Sequence, residues 1–362
     1  MDPATVSEMP TPIRTQNGIC HGIRTCSHTA VAVPNYVLNH VASQCYLAGW
    51  TDDRGLVRVT RRAQPLSALS NLNAVGARKY FWGKDESVRE AAEQAAGKIE
   101  SNAGRVLPSI RDLWPIRDHR DEFFWLLEFM ALHMVRTPQW MAMFKRVREE
   151  SIEERMDEDR TTFGSELARF HAELLGDRFL TEALLGQINK VASVLGSMHL
   201  SLVTFDEPVL VTSDQPMTPV ALGSNPVVES IPSRGLLETY EFRFPIDAQN
   251  AVVLLWLDEP DDNEPIAGTS TDAALLNVST ISQMDQEFFH HPTMLRPPVV
   301  IPPFRVLFTE PVGPRLFAHY SGNAARSSRR RAEAEQRVSD MIEREIRTEI
   351  RVTRVSRDEQ PA

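Results

Sequence analysis

The prevailing spacing of the apolar residues changes near Ser201, and that change restricts the fold more than any other feature of the sequence. Ahead of it they recur near the helical period. Phe124, Leu127, Met130, Ala131, Met134, Trp140 and Phe144 follow such a track within a predicted helix over 121–156, and further helices are expected over 87–106, 165–175 and 182–200. Behind it, short β-branched and aromatic runs alternate, so 202–205, 209–212, 239–244 and 251–257 read as strands, with 299–308 a proline-interrupted one. A helix at 271–289 separates the last two. The expected architecture is α+β: an N-terminal helical half packed on a mainly antiparallel sheet, with a long C-terminal helix.

Local signals refine this outline. Asp52-Asp53-Arg54-Gly55 marks a turn, and the alternating run at 56–60 behind it reads as a half-buried strand. Ser87 with Glu90 three residues on has the pattern of a capping box, and Thr181 is the expected cap of the helix at 182–200. Pro138 falls inside the longest helical track, where it removes a backbone donor and clashes with the preceding turn, so a kink or break is expected there.

Composition enters where it narrows function. The 362 residues are 42% hydrophobic, enough for a sizeable core, and the net charge of −10 argues against a uniformly basic nucleic-acid binder. Three cysteines, Cys20, Cys26 and Cys45, are too few and odd in number for a disulfide framework, which suits a reducing compartment and makes a cytoplasmic location the expectation. No stretch approaches the roughly 20 apolar residues of a membrane helix. Residues 1–29 have no apolar period and read as a disordered leader, 30–310 as a single core domain, and 324–355 as a basic C-terminal helix. No metal is expected: Cys20, His21, Cys26 and His28 lack the spacing of compact zinc sites, and the adjacent His290 and His291 point apart.

The candidate site centres on Leu210-Val211-Thr212-Ser213-Asp214-Gln215-Pro216, an apolar strand that runs into two polar side chains and is stopped by proline. Ser213 and Asp214 then stand at a strand end. Arg136 and His133 lie just ahead of Pro138, beside an apolar face, an unusual place for an arginine without an acidic or anionic partner. Glu100 supplies a second carboxylate. Two readings stay open at this stage. In one, Glu100 and Asp214 act as acid and base with Ser213 beside them, and Arg136 binds an anionic small molecule or nucleotide, as in a hydrolase. In the other, Asp214 caps a turn and Arg136 pairs with Glu100 to fasten helix to sheet. There is no phosphate loop, nucleophile elbow, zinc-protease helix or dinucleotide fingerprint to name a reaction.

The C-terminus carries a different expectation. Arg326, Arg329, Arg330, Arg331 and Arg337 lead into a helix with the stripe Val338, Met341, Ile342, Ile346 and Ile350, a candidate surface for a protein or nucleic-acid partner. Glutamates interleaved after Glu333 favour a solvated or partner-packed helix over a nucleic-acid arm.

Several separated motifs occur in one order: Val33-Pro34-Asn35-Tyr36-Val37-Leu38, Lys98-Ile99-Glu100, Arg136-Thr137-Pro138, Thr212-Ser213-Asp214-Gln215-Pro216 and Phe244-Pro245-Ile246. In this order the chain resembles the bacterial domain of unknown function 4238 over roughly 31–308. Val31 stands where that family commonly has a histidine. The resemblance implies that Glu100, Arg136, Ser213 and Asp214 belong to one recurring polar set, and it assigns no reaction.

Overall fold

The computed structural model describes residues 38–143, 176–220, 236–239, 241–258, 263–295 and 328–341, with single positions at 145, 146, 149 and 344. The expectations for the leader, the helix at 165–175 and the strand at 299–308 lie outside these residues.

The described chain opens with β1 (Leu38–His40) and one helical turn, α1 (Gln44–Leu47), then the hairpin β2 (Leu56–Arg61) and β3 (Gln64–Asn71), and β4 (Ala77–Lys79), which pairs with β1. The predicted turn before β2 forms as its residues dictate. Gly55 adopts a φ of 71°, and Asp52 Oδ1 accepts from the N–H groups of Arg54 and Leu56. Helices α2 (Glu86–Val106), α3 (Arg120–Val135) and α4 (Asp177–Leu195) follow. Two predicted caps are corrected. Asp85, not Ser87, caps α2 by accepting from Ser87 N and Val88 N, while Thr181 lies inside α4 and donates to the Trp82 carbonyl.

Beyond α4 the chain is largely sheet: β5 (His199–Thr204), β6 (Val211–Ser213), β7 (Thr218–Val220), β8 (Glu241–Pro245), β9 (Asn250–Leu255) and β10 (Ile266–Ala267). Helix α5 (Ser270–Gln283) and strand β11 (Glu287–His290) follow, so the predicted helix at 271–289 stops short and Phe288 and Phe289 belong to a strand. A capping box of Thr269 and Asp272 fixes the start of α5. The last described element is helix α6 (329–341). One sheet has the order β10-β5-β9-β8-β7, antiparallel except for the β10–β5 pair; the other, β3-β2-β11-β6, is antiparallel throughout. The fold is α+β. No described helix is long and apolar enough to cross a membrane.

The core explains the placement of the helices. Every residue of α3 from Phe129 to Val135 is buried, as for a helix covered on all sides, and α3 packs against both α2 and α4. Tyr46, Phe129, His133 and Phe244 gather their rings within 4.3 to 6.2 Å of one another, joining α1, α3 and β8. Burying each aromatic ring contributes on the order of 2 kcal/mol. The two faces of β8 differ in kind. Phe242 and Phe244 enter the apolar core, whereas Glu241 and Arg243 form a buried ion pair whose arginine also donates to Ser279 Oγ on α5.

Helix α6 is docked against this core. Asp258 accepts from Ser328 Oγ and from the N–H groups of Arg329 and Arg330, while Ala334 is buried and Val338 packs against the main cluster.

Two glycines yield predictions of opposite sign. A Cβ at Gly49 would lie 2.7 Å from Asp247 Cβ and 3.2 Å from its Cα, so Gly49→Ala is expected to cost about 1–3 kcal/mol through overpacking. A Cβ at Gly97, inside α2, meets nothing within 4 Å, so Gly97→Ala is expected to stabilise by about 0.5–1 kcal/mol. Urea midpoints of the two variants check both.

Candidate functional site

The break in the long helical track places the site. Helix α3 ends at Val135, and Pro138 lacks the N–H that would continue its ladder. Thr137 takes over on both sides of the break: its hydroxyl donates to the Met134 carbonyl and accepts from Trp140 N, so it caps the helical stretch that resumes at 138. Arg136 is thereby held at the end of α3, with its side chain turned inward and only 1% exposed.

A buried guanidinium needs acceptors, and three helices provide its surroundings. Arg136 Nη1 donates to Glu100 Oε1 on α2 at 2.7 Å, and Nη2 donates to Ser43 Oγ, just before α1, at 2.6 Å. Ser43 caps α1 without a side-chain bond to it, so its hydroxyl donates to Glu100 Oε1 at 2.6 Å. His133, one turn before Arg136, completes the group. Its Nδ1 lies 3.1 Å from the Phe129 carbonyl, which can only accept, so Nδ1 carries the proton and Nε2 accepts from Ser43 N at 3.3 Å. Burial, and then the charge of Arg136, hold this imidazole well below its ordinary pKa, so it is neutral.

Outside this sealed part the cluster opens toward solvent. Both hydrogen bonds to the Glu100 carboxylate end on Oε1, and its side chain is 26% exposed. His40 and Glu93 feel its charge. Burial lowers the pKa of His40, assisted by Arg136 and opposed by Glu100. Burial raises that of Glu93, against the pull of Arg136 and of hydrogen bonds from Asn39 and Trp82, with Glu100 adding to the rise. Two buried atoms of the cluster have no hydrogen-bond partner among the described residues: Nε of Arg136 and Oδ1 of Asn39.

The structure brings Glu100 and Arg136 together, but the hydrogen bonds of Ser213 and Asp214 run elsewhere. Ser213 is fully buried and its hydroxyl accepts from Gln215 N at 3.1 Å. Asp214 pairs with Arg78 and accepts from the N–H groups of Asp285, Gln286 and Glu287 at 2.9, 2.8 and 3.1 Å. It thereby pins the turn between α5 and β11 to the end of β6. Burial pushes its pKa up, against the pull of these donors. The link from this strand to the Arg136 cluster is Tyr46. Its hydroxyl donates to the Pro245 carbonyl at 2.6 Å, and Thr212 Oγ1 donates to it at 2.7 Å.

Ser43, His40, Asn39 and Glu93 were not singled out by the sequence. The signal available for the first three was a set of polar residues inside an apolar stretch; Glu93 had none beyond its two-turn spacing from Glu100 on one helix face.

One family matches the chain, described as a protein of unknown function (DUF4238), over residues 39–293. No curated protein and no solved structure matches it.

Replacing Asp214 by Asn puts an NH₂ group among donors and leaves Arg78 with the weaker 3.4 Å contact to Asp285, so Asp214→Asn is expected to lower stability by about 3 kcal/mol in chemical denaturation. A pH dependence follows from His290, whose pKa burial lowers to about 4, with Arg58 contributing. The unfolded chain binds this proton near pH 6.5 while the folded one resists it, so its contribution to stability is whole above about 6.5 and falls as pH drops toward 4. The raised carboxyls Asp214 and Glu93 act with the opposite sign. His290→Phe isolates the histidine: its urea midpoint is expected to fall less between pH 7 and pH 4.5 than that of the unsubstituted protein.

Proposed function

As a member of the DUF4238 family, to which it belongs by a match over more than half of its 362 residues, the protein inherits no assigned reaction, and we propose from the site itself that it is an acid–base enzyme of hydrolase type acting on a small anionic molecule. The observation that carries this reading is the asymmetry of Glu100. One carboxylate oxygen is held by a buried guanidinium and a buried hydroxyl, while the side chain keeps its solvent-facing part. A carboxylate oriented in this way is suited to take a proton from water or a substrate hydroxyl. His40, kept neutral near pH 7, and Glu93, with its raised pKa, couple to it electrostatically as proton carriers of different affinity. The charge of Arg136, buried behind the Glu100 carboxylate, is what favours an anionic substrate over a cationic one. Ser213 and Asp214 take the role of scaffold.

A second reading, a protein or nucleic-acid partner at α6, has less support. Part of the apolar stripe of that helix is already packed on the core, and Arg329 and Arg331 pair with Glu333 and Glu335 one turn on. Its remaining basis is the exposure of Arg329 and Arg337.

The enzyme reading is tested by assaying the full chain against a panel of phosphate and carboxylate esters, nucleotides included. Glu100→Gln, which keeps the shape and most of the hydrogen bonding, is expected to lower turnover by about 10²-fold or more while the variant stays folded. Turnover at the uncatalysed rate across the panel, or equal rates in the variant, would refute the proposal.

A further inference from the structure

Arg136 and Thr137 are consecutive, yet their side chains serve different places. Thr137 lines a small cleft with Gln139, Trp140, Gln215, Met217 and Gln283, where the end of α3 meets the turn before β7 and the last residue of α5. Thus Arg136-Thr137-Pro138 and the stretch through Ser213 and Asp214 do meet, through Thr137 and Gln215. The cavity is about 20 Å³, room for one water-sized oxygen.

Its chemistry differs from that of the Glu100 cluster. None of the described side chains lining it is titratable, and its methionines and proline give it an apolar wall. Two of its side chains carry buried nitrogens with no hydrogen-bond partner among the described residues: Trp140 Nε1, on a residue 9% exposed, and Gln215 Nε2, on one 4% exposed. Both atoms are donors, and an indole N–H can do nothing else. Buried donors without an acceptor favour an oxygen brought within reach, and the described lining supplies no carboxylate to hold a cation.

We propose that this cleft binds the oxygen-bearing end of a small molecule, a carboxylate or an amide carbonyl, with Trp140 Nε1 and Gln215 Nε2 donating to it. The assignment does not depend on the catalytic reading of Glu100.

The test is a pair of titrations of the ¹⁵N-labelled full chain, one with acetate and one with acetamide, following the Trp140 indole signal, which Trp140→Phe identifies by its loss. At least one probe is expected to shift that signal saturably, in the millimolar range natural to so small a ligand. Saturation by acetate alone assigns the carboxylate, and by acetamide alone the carbonyl. In Gln215→Met the saturable shift is expected to be lost while the other indole signals stay in place. Linear drift without saturation for both probes overturns the proposal, as does an unchanged curve in Gln215→Met. If that variant fails to fold, the two titrations of the unsubstituted chain decide alone.

Discussion

A positive charge sealed inside the helical half governs how that half is put together. Arg136 is fully buried, and a guanidinium cannot shed its proton to escape the cost of leaving water. It therefore requires acceptors, and they come from two other elements: Glu100 on α2 and Ser43 at the start of α1. The helices are in this sense packed around a charge as well as around an apolar core. His133 contributes by staying neutral, since its burial, and then the charge of Arg136, oppose a second cation at this place. The aromatic group of Tyr46, Phe129 and Phe244 closes the other side and carries the constraint across to the sheet.

Much of the fold was legible in the sequence because it depends on short-range pattern. The alternation after Ser201 found β5, β6, β8 and β9, and the proline inside the long apolar track marked the place where α3 gives way to a second helical stretch. Failures came where a local signal had two outcomes. Phe288 and Phe289 continue the apolar period of α5, but pairing with β2 and β6 makes them a strand, and such pairing is not encoded in neighbouring residues. Ser87 has the spacing of a cap, yet Asp85 two residues earlier is the stronger acceptor and takes the role.

The candidate site was legible in part, for the same reason. An arginine beside an apolar face calls for an anion, and the pairing with Glu100 answers that expectation. What could not be read was which polar residues share a space. Asp214 looked like a working group because it ends a strand before a proline. Its four donors, supplied by Arg78 and by three backbone groups more than seventy residues away, make it a tie between the end of β6 and the turn that enters β11. Ser43 gave no comparable signal. Its importance arises because a short helix places its hydroxyl between an arginine and a glutamate that are distant in sequence.

The ion pair on β8 has an effect beyond the contacts it makes. Glu241 and Arg243 alternate with Phe242 and Phe244, so the strand presents charge to α5 and rings to α3. If β8 aligned with its neighbours one residue out of step, the two charges would be thrust among the rings of Tyr46 and Phe129, and the phenylalanines would face the hydroxyl of Ser279. An all-apolar strand would tolerate that error at small cost. Here the misaligned sheet is heavily penalised, so the buried charges act as a check on assembly, admitting a single alignment of β8 between β9 and β7.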